Sequence, residues 1–111
     1  PWTAEGPAFG FSAGEPWLPM PAHWGAASVA AQRDDASSTL ALFRAALALR
    51  PHGRFAWQDS PSGALVFTRD ELTCLVNVEG DPLPLPPGEV RLASEPVDGS
   101  LPAGAAAWVH T

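Results

Sequence analysis

The sequence predicts a mainly β protein: a long aromatic loop and one α-helix, followed by a small antiparallel β-sandwich. Three observations carry this. The first 24 residues, PWTAEGPAFGFSAGEPWLPMPAHW, hold three of the five Trp, two of the five Phe and five of the 13 Pro, with neither a helical nor a strand period. Residues 37 to 50 change to a helical period, and from Arg54 onward the period is two.

The opening stretch, to about residue 33, reads as one loop because Pro and Gly interrupt every apolar run. Loops longer than about 15 residues are uncommon in compact domains and usually serve a function or a partner. Next, Leu40, Phe43, Leu47 and Arg50 fall at i, i+3, i+7 and i+10 of SSTLALFRAALALR, one stripe of a helix widened by Leu42, Ala46 and Leu49. Asp34, Asp35 and Ser37 offer a capping-competent start, and Pro51 with Gly53 the stop. So broad a stripe expects cover on more than one side.

Phe55 to Trp57, Ala64 to Arg69, Leu72 to Val78, Glu89 to Ala93 and Ala105 to Val109 read as short strands. Turn signals separate them at Ser60-Pro61-Ser62-Gly63, Arg69-Asp70-Glu71, Gly80-Asp81-Pro82 and Asp98-Gly99. In the third strand Leu72, Cys74, Val76 and Val78 share one face; Thr73, Leu75 and Asn77 share the other. The stretch DPLPLPPG, residues 81 to 88, fits a polyproline II ligand. It fits better a rigid connection with Leu83 and Leu85 tucked against the sheet, because both flanks are strand and no basic residue stands beside it.

Six Arg and no Lys against 12 acidic residues leave a net charge of -6, the wrong balance for tracking a phosphate backbone. Nucleic acid is not an expected partner. Abundant Ala, Gly, Pro and Arg without Lys match a GC-rich coding bias. The single Cys74 rules out an intrachain disulfide and points to a reducing, cytoplasmic setting. No apolar run approaches the roughly 18 residues of a membrane span, and no signal pattern opens the chain, so a membrane is not an expected partner either.

Catalytic groups are sparse. His23, His52 and His110 lie in three separate zones without metal-ligand spacing, so no metal and no cofactor is expected. Cys74 alternates with apolar neighbours and reads as a small core residue. Glu5 and Glu15 sit in the aromatic loop, where apolar walls could raise a carboxyl pKa. A glycosidase pair, however, needs two carboxylates held about 5 to 9 Å apart by rigid elements, and both of these lie beside Gly or Pro. From the residues alone the chain has no active site of its own.

The string PW…GPAFGFS…PWLPMP..W…SVAAQ…D..STL.LFR.AL.LR resembles the end of the catalytic domain in α-glucosidases of the α-amylase superfamily, especially the oligo-1,6-glucosidase-like branch. Pro1 and Trp2 match the end of that family's Pro-x-Pro-Trp motif. Gly6, Phe9, Gly10, Phe11 and Ser12 match its (G/N)-x-x-GF(S/T) element, and Pro16 to Pro19 its PWLP. Gln32, Ser38, Leu40, Arg44 and Arg50 match the approach to and body of the last barrel helix, although Phe43 replaces a common Tyr. Residues 76 to 80 and 85 to 94 resemble strands of the β-domain that follows.

The resemblance implies two parts. Residues 1–52 would be the last βα-loop and final helix of a truncated (β/α)8 barrel, and residues 53–111 a C-terminal antiparallel β-domain. The implied activity of the complete enzyme is retaining hydrolysis of terminal α-glucosidic bonds of oligosaccharides through a glycosyl-aspartate intermediate. The family's nucleophile Asp, acid/base Glu and stabilising Asp have no counterpart here, so no catalytic residue is assigned and the chain is expected to be inactive alone. Trp2, Phe9 and Phe11 are the candidates for the wall of a substrate site built with the missing barrel, or for plain packing of the loop. Uncovered, residues 40 to 47 and the aromatic loop are expected to drive self-association. The alternatives are the same segment of a trehalose synthase or glucosyl-transferring isomerase, and a free-standing β-module that binds carbohydrate or protein through its aromatic loop.

Overall fold

The computed structural model describes all residues, Pro1–Thr111, and divides into two compact units, Pro1–Ala48 and Leu49–Thr111. The protein is mainly β, with a five-stranded antiparallel sheet and a few short helices. No helix is long and apolar enough to cross a membrane.

In the amino-terminal unit the aromatic stretch is more regular than its composition suggests. It contains 3-10 turns at Pro7–Gly10 and Ala22–Ala27 and a one-turn helix, α1, at Val29–Gln32. Such turns need only a few i to i+3 hydrogen bonds and leave no period for a sequence to show. A second helix, α2, spans Thr39–Leu49.

Hydrogen bonds, rather than an apolar core, fix this unit's course. Its buried residues are Gly25, Ser28 and Ser38, while Phe43 and Leu47 of α2 stay exposed. Ser28 caps α1, its Oγ accepting from the Ala31 amide at 3.2 Å. Ser38, one residue beyond the expected Ser37, caps α2 by accepting from the Ala41 amide at 3.1 Å. Gln32 ties the two helices: its Nε2 donates to the Ala27 carbonyl at 2.6 Å and its Oε1 accepts from the Leu40 amide at 3.0 Å. Asp35 accepts from both the amide and hydroxyl of Ser37, bonds that favour its charged form and hold its carboxyl below the usual value. Each helix thus gains the partners its first amides need.

In the carboxy-terminal unit the strands are β1 (Phe55–Gln58), β2 (Ala64–Arg69), β3 (Leu72–Asn77), β4 (Leu83–Pro84), β5 (Glu89–Ala93), β6 (Ser100–Leu101) and β7 (Ala105–His110). The main sheet has the order β1-β2-β3-β7-β5, all neighbours antiparallel, and β4 pairs with β6 in a small second sheet. A register shift between Val90 and Leu92 marks an irregularity in β5.

The core lies between the two sheets. Ala64, Leu75, Ala105, Ala107 and Val109 face Leu83 and Leu101 across it. Leu83 and Leu85 of the Pro-Leu stretch pack there, Leu85 donating its amide to the Gly99 carbonyl, so this segment is a structural connection. In β3 it is the set with Leu75 and Asn77 that turns toward the second sheet. Cys74 is nevertheless only 2% exposed, whereas Val78 falls outside the strand and is exposed.

Asn77 can be buried because its Nδ2 donates to the Asp81 carbonyl at 3.0 Å and the Leu101 carbonyl at 2.9 Å. No buried side-chain polar atom lacks a partner, as close packing of polar groups requires.

Candidate functional site

The amino-terminal segment Pro1–Thr3 lies between two partners. The amides of Trp2 and Thr3 both donate to the Phe9 carbonyl, at 2.9 and 3.0 Å, while the carbonyls of Pro1 and Trp2 accept from Val29 and Ala30 at the start of α1. To bring Phe9 back over Trp2, Ala8 and Phe9 adopt left-handed backbone angles, φ 47° and 48°. That geometry costs a non-glycine residue on the order of 1 kcal/mol. Gly25 supplies clearance, since a Cβ there would run into the Ala4 carbonyl and stand 3.3 Å from the Phe9 ring.

Beyond this fold-back the chain forms a groove of about 550 Å3. Phe11, Trp17, Leu18, Met20 and Trp24 supply most of its wall, and Ser12 and Glu15 add a hydroxyl and a carboxylate. Trp17 is 96% exposed, and Phe11 and Leu18 are also largely open.

Among the candidates named from sequence, Phe11 lies in this groove. Phe9 packs toward Gly25, and Trp2 is exposed outside the groove lining. Trp17, Leu18, Met20 and Trp24, which were not among the wall candidates, complete the surface. The signal that could have found them is the density of rings and prolines in PWLPMPAHW, where rigid φ angles hold apolar side chains out of any helix or strand.

Chemically the groove can stack rings against an apolar surface and offer a few polar contacts, the usual make-up of a small-molecule site. Acid/base chemistry of the paired kind needs two converging carboxylates, and Glu15 is the one carboxylate in the lining. Glu5 lies outside it and uses its backbone carbonyl to accept from the Thr3 hydroxyl at 2.8 Å.

The remaining reactive side chains are dispersed. His110 meets Glu71 at 3.0 Å beside a cavity of about 350 Å3 in the carboxy-terminal unit. His23 and His52 are exposed, and no group of three or more His, Cys, Asp or Glu is placed to hold a metal ion. Burial pushes the Cys74 thiol up to about 11, which keeps it protonated and weakly nucleophilic near neutral pH.

No family model matches the chain, and no curated protein matches it. Among solved structures it is similar to an alpha-glucosyl transfer enzyme, XgtA. The two share 34% identity across 98% of this chain, with a TM-score of 0.67. The chain spans about a quarter, 24%, of the length of that enzyme.

Proposed function

We propose that this chain is the carboxy-terminal portion of a retaining enzyme acting on terminal α-glucosyl groups of oligosaccharides, and that it has no catalysis alone. The observation that carries the reading is the 34% identity with the alpha-glucosyl transfer enzyme over nearly the whole chain. The order of aromatic loop, helix and β-domain supports it. In this reading the aromatic segment walls a sugar site whose acid, base and nucleophile belong to a preceding barrel, with Phe11 as a contact candidate and Trp2 and Phe9 as its support.

Hydrolysis and glucosyl transfer are equally compatible with this segment. The similar enzyme is an alpha-glucosyl transfer enzyme, which favours keeping a trehalose synthase-like or isomerase-like reaction beside the α-glucosidase one. The outcome depends on whether water or a sugar hydroxyl meets the glycosyl-enzyme intermediate.

The genomic sequence upstream of Pro1 tests the proposal. A continuous reading frame encoding a barrel with an Asp nucleophile and a Glu acid is expected, and the continuous polypeptide is expected to turn over maltose or isomaltose. A stop codon directly upstream would sink the reading. Heat released when the isolated chain meets millimolar maltose would instead support the carbohydrate-binding module.

A further inference from the structure

We infer that β1 is a dimerisation edge, pairing antiparallel with β1 of a second copy of this chain to make a continuous ten-stranded sheet. Strand β1 is the outer strand of the main sheet, bonded on one side to β2. The Asp70 amide donates to the Arg54 carbonyl, and Phe55 is opposite Arg69. This phase turns the backbone groups of Arg54, Ala56 and Gln58 toward β2 and those of Phe55 and Trp57 away from it. No other backbone bond reaches Phe55 or Trp57.

The edge is short, four residues flanked by Arg54 and Asp59, but within the strand itself it carries none of the side chains that usually block pairing. FAWQ contains no charge and no proline, so two copies of an otherwise acidic chain meet here without like charges facing each other.

The strand also matches itself. Same-face pairing about a two-fold axis through Ala56 sets Phe55 opposite Trp57 of the other copy, twice. The outward amides and carbonyls of these two residues then close four hydrogen bonds. Ala56 meets Ala56 at the axis, where a small side chain suits the close non-hydrogen-bonded position.

On the aromatic face, Phe55, Trp57 and Phe67 already cluster. Ring centroids lie 5.1 Å apart for Phe55–Trp57, 5.2 Å for Phe55–Phe67 and 5.7 Å for Trp57–Phe67. Phe55 remains 44% and Trp57 63% exposed. Pairing would extend this cluster across the axis, covering roughly 500 Å2 of aromatic surface from both copies. That is small for a permanent interface, so the dimer is weak and concentration-dependent.

Sedimentation equilibrium of the full chain, with three variants, tests this. Wild type is expected to shift from monomer to dimer with concentration. Trp57→Pro removes one outward amide per copy while sparing the bonds to β2, and is expected to weaken the dimer at least tenfold. Ala56→Cys is expected to give a covalent dimer on mild oxidation, because Cα atoms about 4.5 Å apart lie within disulfide reach. Gln58→Cys, offset from the axis, is expected to stay uncrosslinked. The proposal is overturned by a monomer at about 1 mM with no Ala56→Cys cross-link, by a dimer indifferent to Trp57→Pro, or by Gln58→Cys cross-linking as fast as Ala56→Cys.

Discussion

The Nδ2 of Asn77 lies 2.9 Å from the carbonyl oxygen of Leu101 and is buried with it, tying β3 to β6. Its second bond, to the Asp81 carbonyl, anchors the chain as it leaves β3. Replacing Asn77 with Ala strands both carbonyls, and buried polar groups without partners cost about 1–3 kcal/mol each. Asn77→Ala is therefore expected to lower the unfolding free energy by about 2–4 kcal/mol. Urea titration followed by Trp fluorescence checks it, and a loss under about 0.5 kcal/mol would show the bonds to be dispensable.

Alkaline pH isolates Cys74. The sequence has neither Lys nor Tyr, so its thiol is the side chain that titrates between pH 9 and 11. Burial lifts it to about 11 in the fold, above the roughly 8.5 of an unfolded thiol. The neutral form belongs to the folded state, so its contribution is complete below the unfolded value and disappears as pH rises toward 11. The urea midpoint should fall across that window, and Cys74→Ala should flatten the fall.

Gly25→Ala tests the fold-back of the amino terminus. A methyl group there meets the Ala4 carbonyl and the Phe9 ring, which adjoin the residues whose backbones close the bonds of Trp2 and Thr3 to Phe9. The near-ultraviolet circular dichroism of the Trp residues is expected to weaken, at a cost of about 1–3 kcal/mol. An unchanged spectrum would show that the segment has room to spare.

Exposed and buried apolar residues should behave oppositely. Trp17→Ala removes a ring that is almost wholly in solvent, and a stability change within about 0.5 kcal/mol is expected. Leu101→Ala empties a fully buried position and is expected to cost about 2–5 kcal/mol. Thermal unfolding of the pair distinguishes the two, and a large loss from Trp17→Ala would reveal packing at that ring.

The sheet was legible because alternation and turn residues are local signals: Ala64–Arg69 and Glu89–Ala93 occur as the period of two places them. Which face of β3 would meet the core was not legible. That depends on β4 and β6, two-residue strands too short to show a period. A polar Asn77 looks like an outward residue until its partners at Asp81 and Leu101 are known. The cap of α2 was legible to within a residue, Ser38 in place of Ser37, whereas α1 and its Ser28 cap lie in a stretch that showed no helical period. The groove was less so, because turns bring Phe11 together with Trp17 and Trp24 through backbone geometry that no spacing rule describes.

The amino-terminal unit separates scaffold from surface. Ser28, Gln32 and Ser38 set its path through polar pairs, while Phe11, Trp17 and Leu18 hang outward and support little. Exchanging those outward side chains would recast the groove's surface without renegotiating the backbone beneath it.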